Sequence, residues 1–150
     1  MTPHFSLAEL TASSTAKRLK LDNTPMPAAL ENLRQTAEML ERVRAHLGGK
    51  PIIVTSGYRG REVNQAVGGA TSSDHMSGQA ADVVPAVGAA YDMAKALAPH
   101  IDALGIGQLI YEASGNSRWV HLSTRKPAKP VNRVITIHVG KGTYLGVQKI

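Results

Sequence analysis

Between Pro27 and Leu47 the apolar residues Leu30, Leu33, Ala37, Leu40, Val43 and Leu47 recur at steps of three and four. That spacing predicts one face of a long amphipathic helix. Asp22-Asn23-Thr24-Pro25 reads as its start signal and Gly48-Gly49 as its stop. The period then shortens. Residues 51–55 form a β-branched run read as a strand, and a short helix is expected over 61–67, ending at Gly68-Gly69. Residues 81–84 read as a buried strand, and 88–97 as a second substantial helix ended by Pro99.

The last third is rich in strand signals. Residues 108–112 and 118–123 flank a turn-forming loop over 113–117, the pattern of a hairpin. Residues 134–139 and 144–148 are two further strands. Helices first and an antiparallel sheet later define an α+β class. With 150 residues and no repeat or low-complexity linker, the chain is read as one domain over 1–150.

Composition narrows the chemistry. There is no cysteine, which excludes disulfides, thiolate zinc sites and cysteine nucleophiles. Aromatic residues make up 4%, so Leu, Ile, Val and Ala must build the core. The net charge of +6 suits polyanions, among them nucleic acid, anionic membranes and the carboxylate-bearing bacterial wall. Neither an aromatic stacking series nor a recognition-helix signature supports nucleic acid, so no such partner is expected. No run approaches the roughly 18 apolar residues of a membrane span, and the N-terminus has no basic-then-apolar leader. A product made in the cytoplasm without a signal peptide is the expectation.

Metal chemistry enters with Ser73-Asp74-His75-Met76-Ser77-Gly78-Gln79-Ala80-Ala81-Asp82. His75 and Asp82 are side chains that bind zinc when no thiol is available. On a helix they would lie about 10 Å apart along the axis, and on an extended strand roughly 23 Å apart. Neither geometry reaches one ion, so the chain must double back, and Gly78 supplies a residue able to take a positive φ. Of the six histidines, His4 falls in a terminus expected to be mobile and His46 in the last turn of the long helix. His100 follows Pro99, and His138 alternates with Ile135, Ile137 and Val139 and is expected to face away from them. His121 differs, because in Arg118-Trp119-Val120-His121-Leu122-Ser123 it shares a face with the only tryptophan, as in a lined pocket. A strand histidine is more often a hydrogen-bonded structural residue than a ligand, and spacing alone leaves both readings open.

Further motifs carry a family resemblance. Ser56-Gly57-Tyr58-Arg59, Val63-Asn64-Gln65-Ala66-Val67-Gly68-Gly69, the His75–Asp82 stretch, Gln108-Leu109-Ile110-Tyr111-Glu112 and Trp119-Val120-His121 occur in this order. Phe5-Ser6-Leu7-Ala8-Glu9-Leu10 and Asp22-Asn23-Thr24-Pro25 precede them. Over roughly residues 5–125 the chain resembles the zinc D-Ala-D-Ala carboxypeptidase family of peptidoglycan peptidases, in particular its small phage and prophage members. Residues 126–150 add C-terminal strands. The resemblance implies an antiparallel sheet carrying one Zn2+, with helices packed on it, as in hedgehog-like domains. It implies His75, Asp82 and His121 as metal ligands. Arg59 would bind a substrate carboxylate or polarise the scissile carbonyl, and Ser73 would hydrogen-bond near the substrate. Tyr58, partly buried with its hydroxyl near the pocket, and Trp119 are the further expected substrate contacts.

The general base departs from the family pattern. Some relatives carry an acidic residue three positions before the last zinc histidine, where this chain has Arg118. Others carry a histidine two positions before it, where this chain has Trp119. Glu112 is the substitute, and its competing role is a surface partner for Arg118; Asp74 is a weaker candidate base. The expected function is hydrolysis of peptidoglycan stem peptides or cross-links next to a D-amino acid, as a carboxypeptidase or an endolysin-like endopeptidase. It would act as a monomer in the cell wall or periplasm. The alternative is a non-catalytic zinc-binding module that recognises the wall. A serine hydrolase is set aside because no Gly-x-Ser-x-Gly elbow is present.

Overall fold

The computed structural model describes residues 1–150. Its frame is a six-stranded sheet in the order β1-β2-β4-β3-β5-β6. The strands are β1 (Ile52–Ser56), β2 (Ala80–Pro85), β3 (Gln108–Ser114), β4 (Ser117–Ser123), β5 (Val134–His138) and β6 (Gly142–Leu145). All pairings are antiparallel except β3 with β5, which is parallel. The fold is a small α+β domain, and that one parallel pair is its departure from an all-antiparallel sheet. No helix is long and apolar enough to cross a membrane.

Alternation along the strands separates two faces. Ala81, Val83, Leu109, Tyr111, Val120 and Leu122 point to one side and are buried in the main core. The long helix α3 (Pro27–His46) and α5 (Ala90–Leu97), which follows the short α4 (Arg61–Ala66), supply the other half of that core with Leu33, Ala37, Leu40, Val43, Met93 and Leu97. The register pairs Asp82 with His121 and Glu112 with Trp119, and places all four on the opposite face. One layer therefore provides stability while the other is left open for chemistry.

Several expectations need correction. Asp22-Asn23-Thr24-Pro25 does not cap α3, whose N-cap is Met26 with Pro27 at the first helical position. Pro27 lacks only an N–H that would have no partner there. Asp22 instead closes a local turn onto the Thr24 N–H, while Asn23 donates to the Thr11 and Tyr58 carbonyls and accepts from Gly60 N–H. The α-helix expected to end at Pro99 does end just before it, at Leu97, but it starts at Ala90, and the chain keeps turning through a 3₁₀ segment, Ala98–His100, into α6 (Ile101–Leu104). The hairpin loop is tighter than expected, with β3 and β4 pairing as far as Ser114 and Ser117.

The N-terminus is pinned rather than mobile. Two short helices, α1 (Leu7–Thr11) and α2 (Ser14–Leu19), follow it, and a capping box between Ser6 and Glu9 starts α1. Phe5 is buried, and His4 donates to Glu41 through its backbone N–H and its Nδ1, each at 2.7 Å.

The loop before β2 packs directly on α3. Thr36 Oγ1 donates to the Gly78 carbonyl at 2.7 Å and Asn32 Nδ2 to the Ser77 carbonyl at 2.9 Å. Gly78 has φ +76°, and a Cβ placed there would meet the Ala29 carbonyl oxygen at 2.5 Å. Both the left-handed backbone and the close approach demand glycine. Gly78→Ala is therefore expected to cost about 2–4 kcal/mol in urea unfolding and to weaken zinc binding. Gly115→Ala, also at positive φ but with open space around it, should cost about 1 kcal/mol and leave zinc binding unchanged.

Candidate metal centre and cleft

His75 lies in the loop that Gly78 folds back, and Asp82 is the third residue of β2. His121, on the neighbouring strand β4, is the direct cross-strand partner of Asp82. One donor atom from each of the three side chains lies within 4.8 Å of the others. The Asp82 Oδ1 atom sits 3.3 Å from His75 Nε2 and 3.1 Å from His121 Nδ1. The rings meet edge to face with centroids 5.1 Å apart.

The protonation pattern tests whether these residues fit a metal. His75 Nδ1 is 2.7 Å from the Gly57 carbonyl oxygen. A carbonyl only accepts, so Nδ1 carries a proton and Nε2 is the nitrogen turned toward Asp82; in the neutral ring that a metal requires, Nε2 offers a lone pair. A lone pair facing a carboxylate oxygen is unfavourable unless a cation lies between them. The donor set, two imidazoles and one carboxylate without thiolate, fits one Zn2+ and leaves room for a fourth ligand. The Gly57 carbonyl is the outer partner that fixes the ring, as metal-binding histidines require.

Electrostatics couples the three groups. Burial alone would raise the Asp82 carboxyl, but hydrogen bonds and charge from His121 and His75 hold it well below the usual carboxylate range. Burial disfavours the charged form of His121, yet the hydrogen bond and charge of Asp82, with Glu112 and Asp74 behind it, raise that imidazole above 6.5.

These residues form one side of a polar cleft of about 360 Å³. Arg59, Ser73, Glu112 and Trp119 line the same cleft, as do Gln108 and Arg125. Glu112 does not pair with Arg118, whose guanidinium donates to the Gly115 and Ser117 carbonyls. Instead Glu112 stands beside Trp119 across the hairpin. Burial, reinforced by the charge of Asp82, raises its carboxyl above the ordinary range; His121, Trp119 and Arg59 oppose the rise. Nε of Arg59 is buried without a hydrogen-bond partner, and the buried indole Nε1 of Trp119 makes no bond of good geometry but lies near enough to Glu112 to hold its carboxyl down. Burial lowers the Arg59 pKa while Asp82 and Glu112 act to raise it, and its Nη2 lies 3.4 Å from Ser73 Oγ.

Two expected residues take other roles: Tyr58 leaves the cleft, and Asp74 stays in its wall but is tied up. Tyr58 is buried and lines a neighbouring hollow with Met26 and Met76 rather than the metal-side cleft. Its N–H is bound to the Leu10 carbonyl at 2.7 Å, which turns the side chain behind the loop. Asp74 is occupied as an anchor, accepting from Ser123 Oγ at 2.8 Å and Arg125 Nε at 2.6 Å. Sequence reasoning overlooked Gln108 and Arg125. Strand alternation offered the signal for the second, since Trp119, His121, Ser123 and Arg125 are spaced by two.

Because His121 must shed its proton to bind a metal, zinc affinity should fall as pH is lowered through its raised pKa, with protons released on binding. The sign follows from its raised pKa: the protonated His121–Asp82 pair stabilises the metal-free fold at low pH and that contribution is lost as pH rises. Competition with a chromophoric chelator at several pH values checks this, and a pH-independent affinity would contradict it. His121→Ala should lose zinc while its far-ultraviolet circular dichroism is unchanged; full zinc occupancy would remove His121 from the ligand set.

Comparison with known proteins agrees with this geometry. The zinc D-Ala-D-Ala carboxypeptidase of Streptomyces albus G is 44% identical over 55 residues, which is 37% of this chain and 22% of that relative's length. The matched part thus spans about a fifth of that relative. The model of the family Peptidase M15 matches residues 3–123, which contain every ligand and cleft residue described above except Arg125. The chain belongs to the peptidase M15 family.

Proposed function

We propose that the protein is a zinc-dependent peptidase that cuts peptide bonds of bacterial peptidoglycan next to a D-amino acid. The observation that carries the catalytic part is the placement of Glu112, a carboxylate with a raised pKa, in the same cleft as three convergent metal donors. The substrate class rests on the relative named for D-Ala-D-Ala carboxypeptidase activity, and the net charge of +6 suits an anionic wall.

His75, Asp82 and His121 would hold the zinc, which when bound supplies a Lewis acid and lowers the pKa of water toward 7. Glu112 takes a proton from the attacking water and returns it to the amine released when the C–N bond breaks. Its raised pKa suits both roles, since the group must accept a proton and then give it up near neutral pH. Arg59, half-buried and with an unpartnered Nε, stabilises negative charge on the scissile carbonyl oxygen or holds a substrate carboxylate. Ser73, already bonded to the His75 N–H and near Arg59, orients the substrate beside it. Trp119 offers its indole N–H and an apolar wall. A phage or prophage role in host lysis, acting as a monomer at the wall, is the finer form of this proposal.

Incubation of zinc-loaded protein with purified sacculi should release fragments with new amino and carboxyl termini at D-amino acids, read by mass spectrometry. Glu112→Gln should lower the rate by about 10²–10⁴ with zinc content unaltered. An unchanged rate would exclude Glu112 as the base. Zinc-dependent binding to sacculi with no new termini would favour a wall-recognition module instead.

A further inference from the structure

Two clefts meet at Arg125. The metal-side cleft and an adjoining one of about 390 Å³ share Ser72, Ser73, Asp74 and Arg125 as a common wall. The adjoining cleft is otherwise lined by Met76, Ser77 and Gln79, so hydroxyls and an amide dominate it. A substrate longer than the bond being cut could continue from one cleft into the other, and it would pass Arg125.

Arg125 is held in a particular way. Its Nε donates to Asp74 Oδ1 at 2.6 Å, and its backbone N–H donates to Ser123 Oγ at 3.1 Å. Ser123 is fully buried and donates in turn to Asp74 Oδ2 at 2.8 Å. The backbone and the inner edge of the guanidinium are thus both tethered. Neither Nη atom has an acceptor in the protein, and the side chain is 54% exposed. Asp74 occupies only the Nε side and leaves the edge formed by the two Nη groups free. That edge is a planar fork matched to the two oxygens of a carboxylate. An untethered surface arginine must give up rotamer freedom to bind; here the protein has already restricted it.

Asp74 also shapes what the fork recognises. The pair is close to neutral, so long-range attraction to any anion is weak. What remains is short-range and directional, which discriminates by geometry rather than by charge alone.

Resting on the peptidase reading of the metal-side cleft, we propose that Arg125 is a substrate-reading residue. Its free Nη edge binds a carboxylate that the peptide carries away from the scissile bond, as the chain passes into the adjoining cleft. Such a carboxylate has two sources in a stem peptide, the α-carboxylate of a γ-linked D-glutamyl residue and the C-terminal carboxylate.

Calorimetric binding separates them without relying on cleavage. Zinc-loaded Glu112→Gln protein is titrated with stem pentapeptides in two pairs. One pair differs in whether the D-glutamyl α-carboxylate is free or amidated, the other in whether the C-terminus is. We expect a preference of about tenfold for the free acid in one pair, the mark of a bidentate charged contact. Introducing Arg125→Met should abolish that preference, and Arg125→Lys, which keeps the charge without the fork, should restore little of it. Asp74→Asn should reduce it in part. Equal affinities within both pairs, or a preference that survives Arg125→Met, would overturn the proposal. An Arg125-dependent preference in a protein that releases nothing from sacculi would support the carboxylate site and count only against the peptidase reading.

Discussion

A charged carboxylate kept largely out of water must be matched closely by neighbours, and Asp82 is that carboxylate. Two imidazoles approach one of its oxygens from different parts of the chain. One comes from the adjacent strand in direct register, the other from a folded-back loop. A slip of one residue between β2 and β4 would turn Asp82 toward the apolar core, where nothing could compensate its charge. The same pairing that makes the metal centre therefore also penalises every wrong register of the sheet's middle. Stability and chemistry share this point because they occupy opposite faces of the same strands.

Glu112 acquires its character from that arrangement. The hairpin register sets it beside Trp119 and leaves Arg118 at the neighbouring position, next to Ala113. Its carboxyl thus sees Asp82, His121 and Arg59, and not the arginine that follows in sequence across the turn. Burial raises the Glu112 carboxyl and the charge of Asp82 adds to that rise, while Asp82, bonded to histidines, stays ionised. This divergence gives one carboxylate to the metal and leaves the other free to move protons.

How much of this was legible in the sequence differs from residue to residue. The α3 stripe and the need for Gly78 were readable, because periodicity and reach are local quantities. Asp82 and His121 were readable as donors, but their direct pairing depends on a register that only the assembled sheet defines. The short helices α1 and α2 escaped notice because five or six residues show no period, although Ser6-Leu7-Ala8-Glu9 is a capping box. On β5 the alternation was clear and its meaning inverted. Ile135 and Ile137 belong to the metal-side face, while Thr136 is buried on the other, bonded to the Gly146 carbonyl and the Gln148 N–H. A parallel neighbour and a covering C-terminal segment decide that, and neither is written in five residues. Tyr58 was misplaced for a similar reason, since its direction is set by the Leu10 carbonyl nearly fifty residues earlier in the chain.

That contact with Leu10 reaches further than Tyr58. A Cβ on Gly57 would stand 2.2 Å from the Leu10 carbonyl oxygen, so α1 presses on the residue whose own carbonyl orients His75. The Arg59 N–H answers by donating to the His75 carbonyl, closing a small clamp between the turn and the ligand loop. The first ten residues are thus mechanically upstream of an imidazole that they never touch. A fusion partner or a truncation at this end would act as a tuning screw on the metal centre, altering how firmly the ring is aimed while leaving its ligands intact.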